Sequence, residues 1–243
     1  MAKEHQTAKA LMTALQQHAD AGDAIFLQRF FKTGKGQYGA GDVFIGVRVP
    51  QTRTVCRQFK NLPLGEIEKL LASPVHEHRL AGVILLVSRY QAAKNDPERR
   101  EVYEVYLGNV YAGRINNWDI VDGSAEFIVG EYLREHPSEL LTTLARSGDL
   151  WQRRVAMLST FAGIKRGESE QAFTIAQILL HDPHDLIQKA VGWMLREIGK
   201  RCNEQLLLDF LELEYTKMPR TTLRYAVERL SPSQRQHFMK KLG

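Results

Sequence analysis

The strongest constraint on the fold of this 243-residue chain is an internal repeat of helical segments. A basic or polar residue followed by apolar residues recurs along the sequence, each time in the first turns of the second helix of a predicted helix pair. The recurring positions are Arg79, Asn117, Arg154, Lys189 and Arg224, which are separated by 38, 37, 35 and 35 residues. A period in the upper thirties with two helices per unit is typical of a HEAT-like solenoid.

Apolar residues at helical spacing predict helices along almost the whole chain. Ser, Asp, Asn, Pro and Gly, which cap or end helices, separate them. The predicted helices cover residues 3–18, 22–32, 50–59, 64–72, 75–92, 98–112, 117–135, 137–146, 149–166, 169–181, 185–201, 203–217, 220–230 and 232–241. Residues 43–47 have a short extended pattern, and no stretch predicts a sheet.

We therefore predict an all-α fold, a HEAT-like repeat solenoid of antiparallel helix pairs that curves with a basic concave face. In this prediction residues 1–243 form one domain. Residues 1–48 hold the N-terminal helices and a Gly-rich loop, and residues 49–243 hold the stacked helix pairs. The alternative is an irregular helical bundle in which the repeat spacing arose by chance.

The composition limits the cellular compartment and the kinds of binding partner that we expect. A net charge of +5 fits a protein that meets phosphates, although many basic proteins bind no nucleic acid. Cys56 and Cys202 are far apart, which is typical of a reducing compartment. The start has no apolar signal region, and the longest apolar run, residues 81–87, is too short to span a bilayer. We expect a soluble cytoplasmic monomer that binds no membrane.

Two further classes of site are excluded by their context. Residues 34–39 read G-x-G-x-x-G, but a predicted helix precedes them and no βαβ pattern surrounds them, so we reject a dinucleotide site. His76 with His78, and His181 with His184, lie close in sequence, but no Cys or His completes either set of metal ligands. We therefore expect neither a metal nor a cofactor.

The repeat has a consequence for binding, because equivalent positions of a solenoid line one surface. The predicted DNA-binding residues on that surface are Arg79, Arg154, Lys189 and Arg224, with Arg153, Gln188 and Arg196 nearby. Such a series of cations is suited to the phosphate backbone of double-stranded DNA. The alternative is that each is a solvated helix residue paired with a neighbouring acidic side chain.

All three tryptophans of the chain, Trp118, Trp151 and Trp193, fall near the start of a second helix of a repeat. Most tryptophans pack between helices, so packing is the alternative for each of them. Since such helices are neighbours in a solenoid, we expect Trp118 and Trp193 to face each other across Asp122.

The segment around Trp118 is the strongest candidate for a reactive site. Asn116 or Asn117 is a predicted helix N-cap. If a helix starts there, Trp118 and Asp122 share one face, and an indole beside a carboxylate suits a cation. Asp119 competes for the role of the reactive carboxylate, but it points about 100° away from the tryptophan. Its place in the first turn favours a capping or dipole role instead.

These segments resemble the AlkD-type DNA alkylation-repair glycosylases, which are built of HEAT-like repeats. The resemblance rests on residues 117–122 (N-W-D-I-V-D), 151–156 (W-Q-R-R-V-A) and 187–197 (I-Q-K-A-V-G-W-M-L-R-E). Residues 41–50 (G-D-V-F-I-G-V-R-V-P) are also similar to a segment of that family. The similarity covers nearly the whole chain, and the segments occur in the order of the family.

The resemblance implies a monofunctional glycosylase of base excision repair. It would hydrolyse the N-glycosidic bond of cationic N3- and N7-alkylpurines, such as 3-methyladenine and 7-methylguanine, in duplex DNA. The catalytic carboxylate of the family corresponds to Asp122, its two cleft tryptophans to Trp118 and Trp193, and its helix-start arginine to Arg154. An aromatic residue that contacts DNA falls near Phe30, where some members have a tyrosine.

Two other functions remain open at this point. A non-catalytic relative would bind damaged or branched DNA by shape through the same basic face. A protein-binding HEAT scaffold would instead present an apolar or acidic groove. The combination of Trp118, Asp122 and Trp193 favours the enzyme.

Overall fold

Helices dominate the computed structural model, which describes residues 6–240. They are α1 (Ala8–Gln16), α2 (Ala21–Phe30), α3 (Val49–Gln58), α4 (Leu64–Leu71), α5 (His76–Ala92), α6 (Asp96–Tyr111), α7 (Trp118–Asp122), a π-helix (Glu126–Gly130), α8 (Glu131–Glu135), α9 (Leu140–Ala145), α10 (Leu150–Ser159), α11 (Phe161–Ile164), α12 (Glu170–Ile178), α13 (Asp185–Arg201), α14 (Glu204–Glu214), α15 (Arg220–Ala226) and α16 (Pro232–Met239). Within the described residues the extended pattern at 43–47 forms no strand but a single bridge between Val43 and Val75. The all-α prediction is confirmed. Predicted helical residues 3–5 and 241 lie outside the described part.

The chain divides into two compact units, Met1–Ser124 and Ala125–Gly243. Each unit is a series of packed helices. The single solenoid domain and its basic concave face stay predictions. None of the helices in residues 6–240 is both long and apolar enough to cross a membrane.

In the first unit, α5 is the central helix, because it packs against α3, α4 and α6. The core between these helices contains fully buried leucines such as Leu70, Leu71 and Leu86. The charged start of α5, at His76, extends from this core toward the loop that precedes α3. The candidate site is built at that end of the unit.

In the second unit, α13 has the central place and packs against α10, α14 and α15. The contact with α15 requires a glycine, since a Cβ atom at Gly192 would lie 2.4 Å from the carbonyl oxygen of Thr222. This close approach explains why a glycine precedes Trp193 in the middle of a long helix. The same helix carries Lys189 and Arg196.

Two of the predicted helices are interrupted. The helix predicted at 117–135 ends at Asp122 and continues as the π-helix and α8, and the one predicted at 149–166 is divided between α10 and α11. At both points a hydroxyl bonds a carbonyl of the preceding turn: Ser124 Oγ donates to Ile120 at 2.6 Å, and Thr160 Oγ1 donates to Met157 at 2.7 Å. Such bonds compete with the backbone pattern and bend helices. The prediction of uninterrupted helices is therefore wrong at these points.

Candidate active site

The short helix α7 carries the residues that the sequence singled out. Asn117 is its N-cap, with the side-chain oxygen accepting from the backbone N–H of Trp118 at 2.8 Å. Trp118 and Asp122 stand four residues apart at its two ends and share one face. Both are half-buried, so each keeps part of its surface accessible. This confirms the predicted helix start at Asn117.

The indole of Trp118 is held by two phenylalanines from the end of α2. Phe31 stacks on it with ring centroids 5.1 Å apart and planes inclined by 14°. Phe30 meets it edge-on at 6.0 Å. Phe31 is buried, whereas Phe30 is 54% exposed, so the buried ring fixes the indole and the exposed ring extends the aromatic surface. The position that the family resemblance assigned to a DNA-contacting aromatic thus lies beside Trp118.

Asp122 lies near the buried tyrosine of α6. Burial raises the pKa of the Tyr106 hydroxyl, the hydrogen bond to Ser124 lowers it, and the negative charge of Asp122 raises it further. Tyr106 and Ser124 are joined by a hydrogen bond of 2.8 Å. The tyrosine therefore stays neutral beside the carboxylate of Asp122.

Asp119, the competing carboxylate, is occupied by structural contacts. Its Oδ1 accepts from the backbone N–H of Ile120 at 2.9 Å, which is the first-turn role that the sequence predicted. Its Oδ2 lies 2.9 Å from Nε2 of His76. The side chain is only 14% exposed. These contacts give Asp119 a structural role in holding α7.

His76 is a buried imidazole between two carboxylates. In addition to Asp119, it contacts Asp42, whose Oδ2 lies 3.1 Å from Nδ1. Burial by itself lowers the pKa of His76, but the charges and hydrogen bonds of Asp119 and Asp42 outweigh it and raise the pKa to about 9. At neutral pH the ring is therefore an imidazolium that donates from both nitrogens.

Asp42 connects three parts of the first unit. Besides His76, it accepts from Arg79 at 2.6 Å and from the side chain of Asn117 at 2.9 Å. Burial raises the pKa of the Asp42 carboxyl, but the bonds from His76 and Asn117 and the charge of Arg79 leave it below its ordinary value. A buried anion with these partners remains ionised at neutral pH.

Arg79 is a structural cation in this arrangement. It is buried, and apart from Asp42 it donates to the carbonyls of Ser73 and Pro74. The prediction that Arg79 contacts a DNA backbone does not fit this placement. Its repeat partner Asn117 is likewise buried.

A clamp holds the loop that carries Asp42. The buried carboxylate of Glu77 accepts from the backbone N–H groups of Ile45, Gly46 and Val47, at distances from 2.8 to 3.2 Å. Gly46 has a φ of 83°, and a Cβ atom there would lie 2.0 Å from the carbonyl oxygen of Asp20. Asp42 and Gly46 both belong to segment 41–50, which resembles the family. The structure requires Gly46 for the close approach to Asp20 and Asp42 for its buried hydrogen bonds.

The second unit carries Trp193 on α13. Its ring is half-buried and makes a tilted contact with Phe161 at 5.9 Å. The same phenylalanine lies under two cations, Lys165 at 4.7 Å and Arg201 at 5.3 Å. Trp151, by contrast, is buried, as the packing alternative predicts for a tryptophan.

The predicted DNA-binding residues of this unit fall into two groups. Arg154 is buried and donates to the carbonyl of Leu186, which joins α10 to α13. Arg153, Gln188, Lys189, Arg196 and Arg224 are half-buried or exposed. The burial of Arg154 resembles that of Arg79 and does not fit a residue whose main contact is a phosphate.

Most of the more accessible cations of this unit have acidic partners. Lys189 pairs with Asp185 at 2.7 Å, Arg153 pairs with Asp182 at 2.7 Å, and Arg196 pairs with Glu228 and Glu197. Arg224 is exposed on α15 and makes no hydrogen bond or ion pair within residues 6–240. The alternative of paired helix residues thus describes these three cations in the present structure.

The sequence alone missed the chain of contacts beneath Trp118. Phe31, Asp42 and Phe44 come from one stretch of the chain, whereas His76 lies more than thirty residues further on, and no repeat position connects them. Asp42 and Phe44 did belong to a family-like segment, so the resemblance contained a signal for the loop. The resemblance contained no signal for His76.

The sequence profile of the DNA alkylation repair enzymes matches residues 11–230. The chain therefore belongs to the DNA alkylation repair enzyme family. Its fold is similar to that of a protein from Enterococcus faecalis described as a predicted DNA alkylation repair enzyme, with a TM-score of 0.67, 20% identity, and coverage of 88% of this chain and 98% of that one. No curated protein matches the chain.

Proposed function

We propose that the protein is a DNA glycosylase that removes cationic N3- and N7-alkylpurines from duplex DNA. The proposal rests on the different positions of the two aspartates of α7. Asp119 is tied to His76, whereas Asp122 stands on the accessible face that it shares with Trp118. Membership of the DNA alkylation repair enzymes supports DNA as the substrate.

The chemistry follows from the charge of the lesion. Alkylation at N7 or N3 makes the base cationic, so the electron pair of the broken glycosidic bond neutralises it as it leaves. The sugar becomes oxocarbenium-like, as in glycoside hydrolysis. Water then adds to C1′ and loses its proton, which yields an abasic site. Asp122 stabilises the positive sugar and orients the water.

The size of this effect is limited. A carboxylate about 4 Å from the developing charge contributes roughly 4 kcal/mol at an effective dielectric near 20. Part of this attraction already acts on the cationic substrate, so only the surplus in the transition state accelerates the reaction. A net gain of about 2–3 kcal/mol corresponds to roughly a hundredfold in rate.

The aromatic residues have binding roles in this proposal. Trp118 and the exposed ring of Phe30 form an aromatic surface for the cationic nucleotide. Phe30 acts through its ring alone, because it lacks the hydroxyl of a tyrosine. By resemblance to the family, we assign Trp193 of α13 a DNA-contacting role.

The DNA backbone is bound by cations of the second unit. We propose Arg224, Lys189 and Arg196, supported by Arg153 and Gln188, as the phosphate contacts. Lys189 and Arg196 would exchange their carboxylate partners for phosphates. Arg79 and Arg154 are left out of this set because their guanidinium groups are buried in the protein.

A release assay tests the proposal. The purified protein is incubated with methylated duplex DNA in the presence of EDTA, and freed 7-methylguanine and 3-methyladenine are quantified by mass spectrometry. We expect release by the wild type and a loss of about a hundredfold in Asp122→Asn, with DNA affinity nearly unchanged. Glu101→Gln, an exposed carboxylate on α6, is the matched control and keeps the wild-type rate. Excision by Asp122→Asn at the wild-type rate would reject the assignment, and tight binding without any release would favour a non-catalytic DNA-binding protein.

A further inference from the structure

We infer that His76 is a positioning residue for the proposed reaction: by bridging Asp42 and Asp119, it fixes the first turn of α7 and thereby the face that carries Trp118 and Asp122. The inference rests on the proposed function. His76 does not touch the substrate, because its side chain is only 2% exposed. It acts through the helix that it holds.

The need for an anchor follows from the length of α7. The helix has five residues, and so short a helix has little stability of its own in water. Its start is bonded to Asp42 by two routes, directly through the Asn117 amide and indirectly through His76 and Asp119. Asp42 is in turn held by Arg79 of α5, so the start of α7 is tied to the central helix of the first unit.

An imidazolium is suited to this place by shape and by charge. Its ring lies 4.4 Å from Phe44, with planes inclined by 21°, and 4.9 Å from Phe31. Its two N–H groups point in divergent directions, each toward one carboxylate. A neutral amide in the same slot leaves two buried or nearly buried carboxylates without the cation between them, and their repulsion favours movement of Asp119.

The same aromatic contacts connect the histidine to Trp118. Phe31 stacks on Trp118 and also contacts His76. A shift of the imidazole would therefore change the environment of the indole in two ways, through the Asp119 bond and through the ring of Phe31. This coupling makes the indole a reporter of the state of His76.

The surrounding charges set the pH range over which His76 bridges Asp42 and Asp119. Asp119 faces His76 from α7, and Asp42 faces it from the loop before α3. On α5 itself Arg79 faces Asp42, Glu77 faces the backbone of the loop, and His78 bonds Ser73. Since the pKa of His76 is raised to about 9, the bridge is intact at neutral pH and loses one of its two donors above about pH 9.

The test compares His76→Gln and Asp119→Asn with the wild type and with a matched control, His78→Gln. His78 lies two residues further along α5 and bonds Ser73, outside the bridge. Single-turnover release of 7-methylguanine from methylated duplex DNA is measured from pH 6 to 10, with release in the absence of protein subtracted. The wild type and His78→Gln lose activity above about pH 9. Both bridge variants are slower by tenfold or more at pH 7, with a DNA Kd within about twofold, and lack the alkaline limb.

The double variant His76→Gln/Asp119→Asn distinguishes positioning from general destabilisation. Because both substitutions break one bridge, the double variant is no slower than the worse single variant, whereas unrelated defects multiply. In Asp119→Asn the imidazole of His76 still packs between Phe31 and Phe44, so this variant tests the bridge even if His76→Gln does not fold. A bridge variant with the wild-type rate and the wild-type alkaline limb overturns the inference.

A second measurement separates this inference from the proposed function. The indole N–H of Trp118 and the imidazole of His76 are followed by NMR during a pH titration. We expect the Trp118 signal to titrate with the pKa of His76 in the wild type and in Asp122→Asn, but not in His76→Gln. If the wild type releases no purine while this coupling is seen, the proposed function fails and His76 remains the anchor of α7. If the Trp118 signal is independent of His76, the anchoring itself is disproved.

Discussion

The Oδ2 atom of Asp119 lies 2.9 Å from Nε2 of His76, so the carboxylate that follows Trp118 in sequence is bonded to the core of its own unit. The two residues are 43 positions apart and come from α7 and α5. This pairing gives Asp119 a structural role, which its place in the first turn of α7 already favoured. Asp119 holds the helix, and Asp122 is left on the face of the helix that Trp118 also occupies.

The first prediction concerns stability at alkaline pH. The folded-state pKa of His76 is about 9, above the unfolded value of 6.5, so its contribution to stability is fully present below about pH 6.5. It is lost as the pH rises through 9, and the free energy of unfolding falls by about 3 kcal/mol over this range. Urea unfolding at pH 6 and pH 9.5 measures the difference. His76→Gln should lack this part of the pH dependence, and an equal fall in both proteins would contradict the prediction.

The second prediction compares the half-buried indole of Trp118 with the buried indole of Trp151. Trp118→Ala should reduce purine release by tenfold or more, because it removes the aromatic surface beside Asp122. The protein stays folded, since the indole is half-buried. Trp151→Ala should have the opposite profile: a loss of about 3–5 kcal/mol in unfolding free energy, as for a buried core residue, with normal release by the folded fraction. Chemical denaturation and the release assay on both variants provide the comparison.

The third prediction concerns the cations of the second unit. Arg224→Ala should weaken DNA binding and reduce the slope of log Kd against log salt by about one unit, because an exposed phosphate contact releases one counterion. Its stability should change by less than about 0.5 kcal/mol.

Arg154→Ala is the contrasting variant. Its guanidinium is buried against Leu186, so the expected result is a loss of unfolding free energy of about 1–3 kcal/mol with an unchanged salt slope. The two slopes are measured by fluorescence anisotropy at several salt concentrations. A reduced slope in Arg154→Ala would restore that residue to the backbone contacts proposed from the family.

Periodicity in the sequence predicts the long helices of this fold well. The helical pattern predicted α13 to the residue and α5 to within one, because long amphipathic helices with caps carry strong local signals. The capping preference of asparagine likewise predicted the start of α7. The interruptions at Ser124 and Thr160 were missed, since they depend on hydroxyl bonds that the apolar pattern does not contain.

Three basic or polar side chains at or beside the repeat positions make the same local contact. Arg79 donates to the carbonyls of the sixth and fifth residues before it, Arg153 does the same, and Gln188 donates to the sixth. These side chains tie down the turn that precedes a second helix, in agreement with the way helical side chains lean toward the N-terminus. Arg79 stands at a repeat position, whereas Arg153 and Gln188 each precede one by a single residue. This contact therefore does not explain the repeat itself, and the phosphate-binding surface stays a prediction.

The last prediction concerns the loop that carries Asp42. Gly46→Ala should lower the free energy of unfolding by about 2–4 kcal/mol, because the alanine would need a φ of 83° and would place its Cβ 2.0 Å from the carbonyl of Asp20. Relief of that clash pulls the loop from the Glu77 carboxylate and moves Asp42 with it, so purine release should fall more than the folded fraction does. Gly36→Ala is the matched control. Gly36 also has a positive φ, of 77°, but an added Cβ meets nothing within 4 Å, and the expected cost is only about 1 kcal/mol with normal release. Thermal unfolding and the release assay on both variants measure these differences; equal costs in the two variants would show that the approach of α2 to this loop is looser than the structure has it.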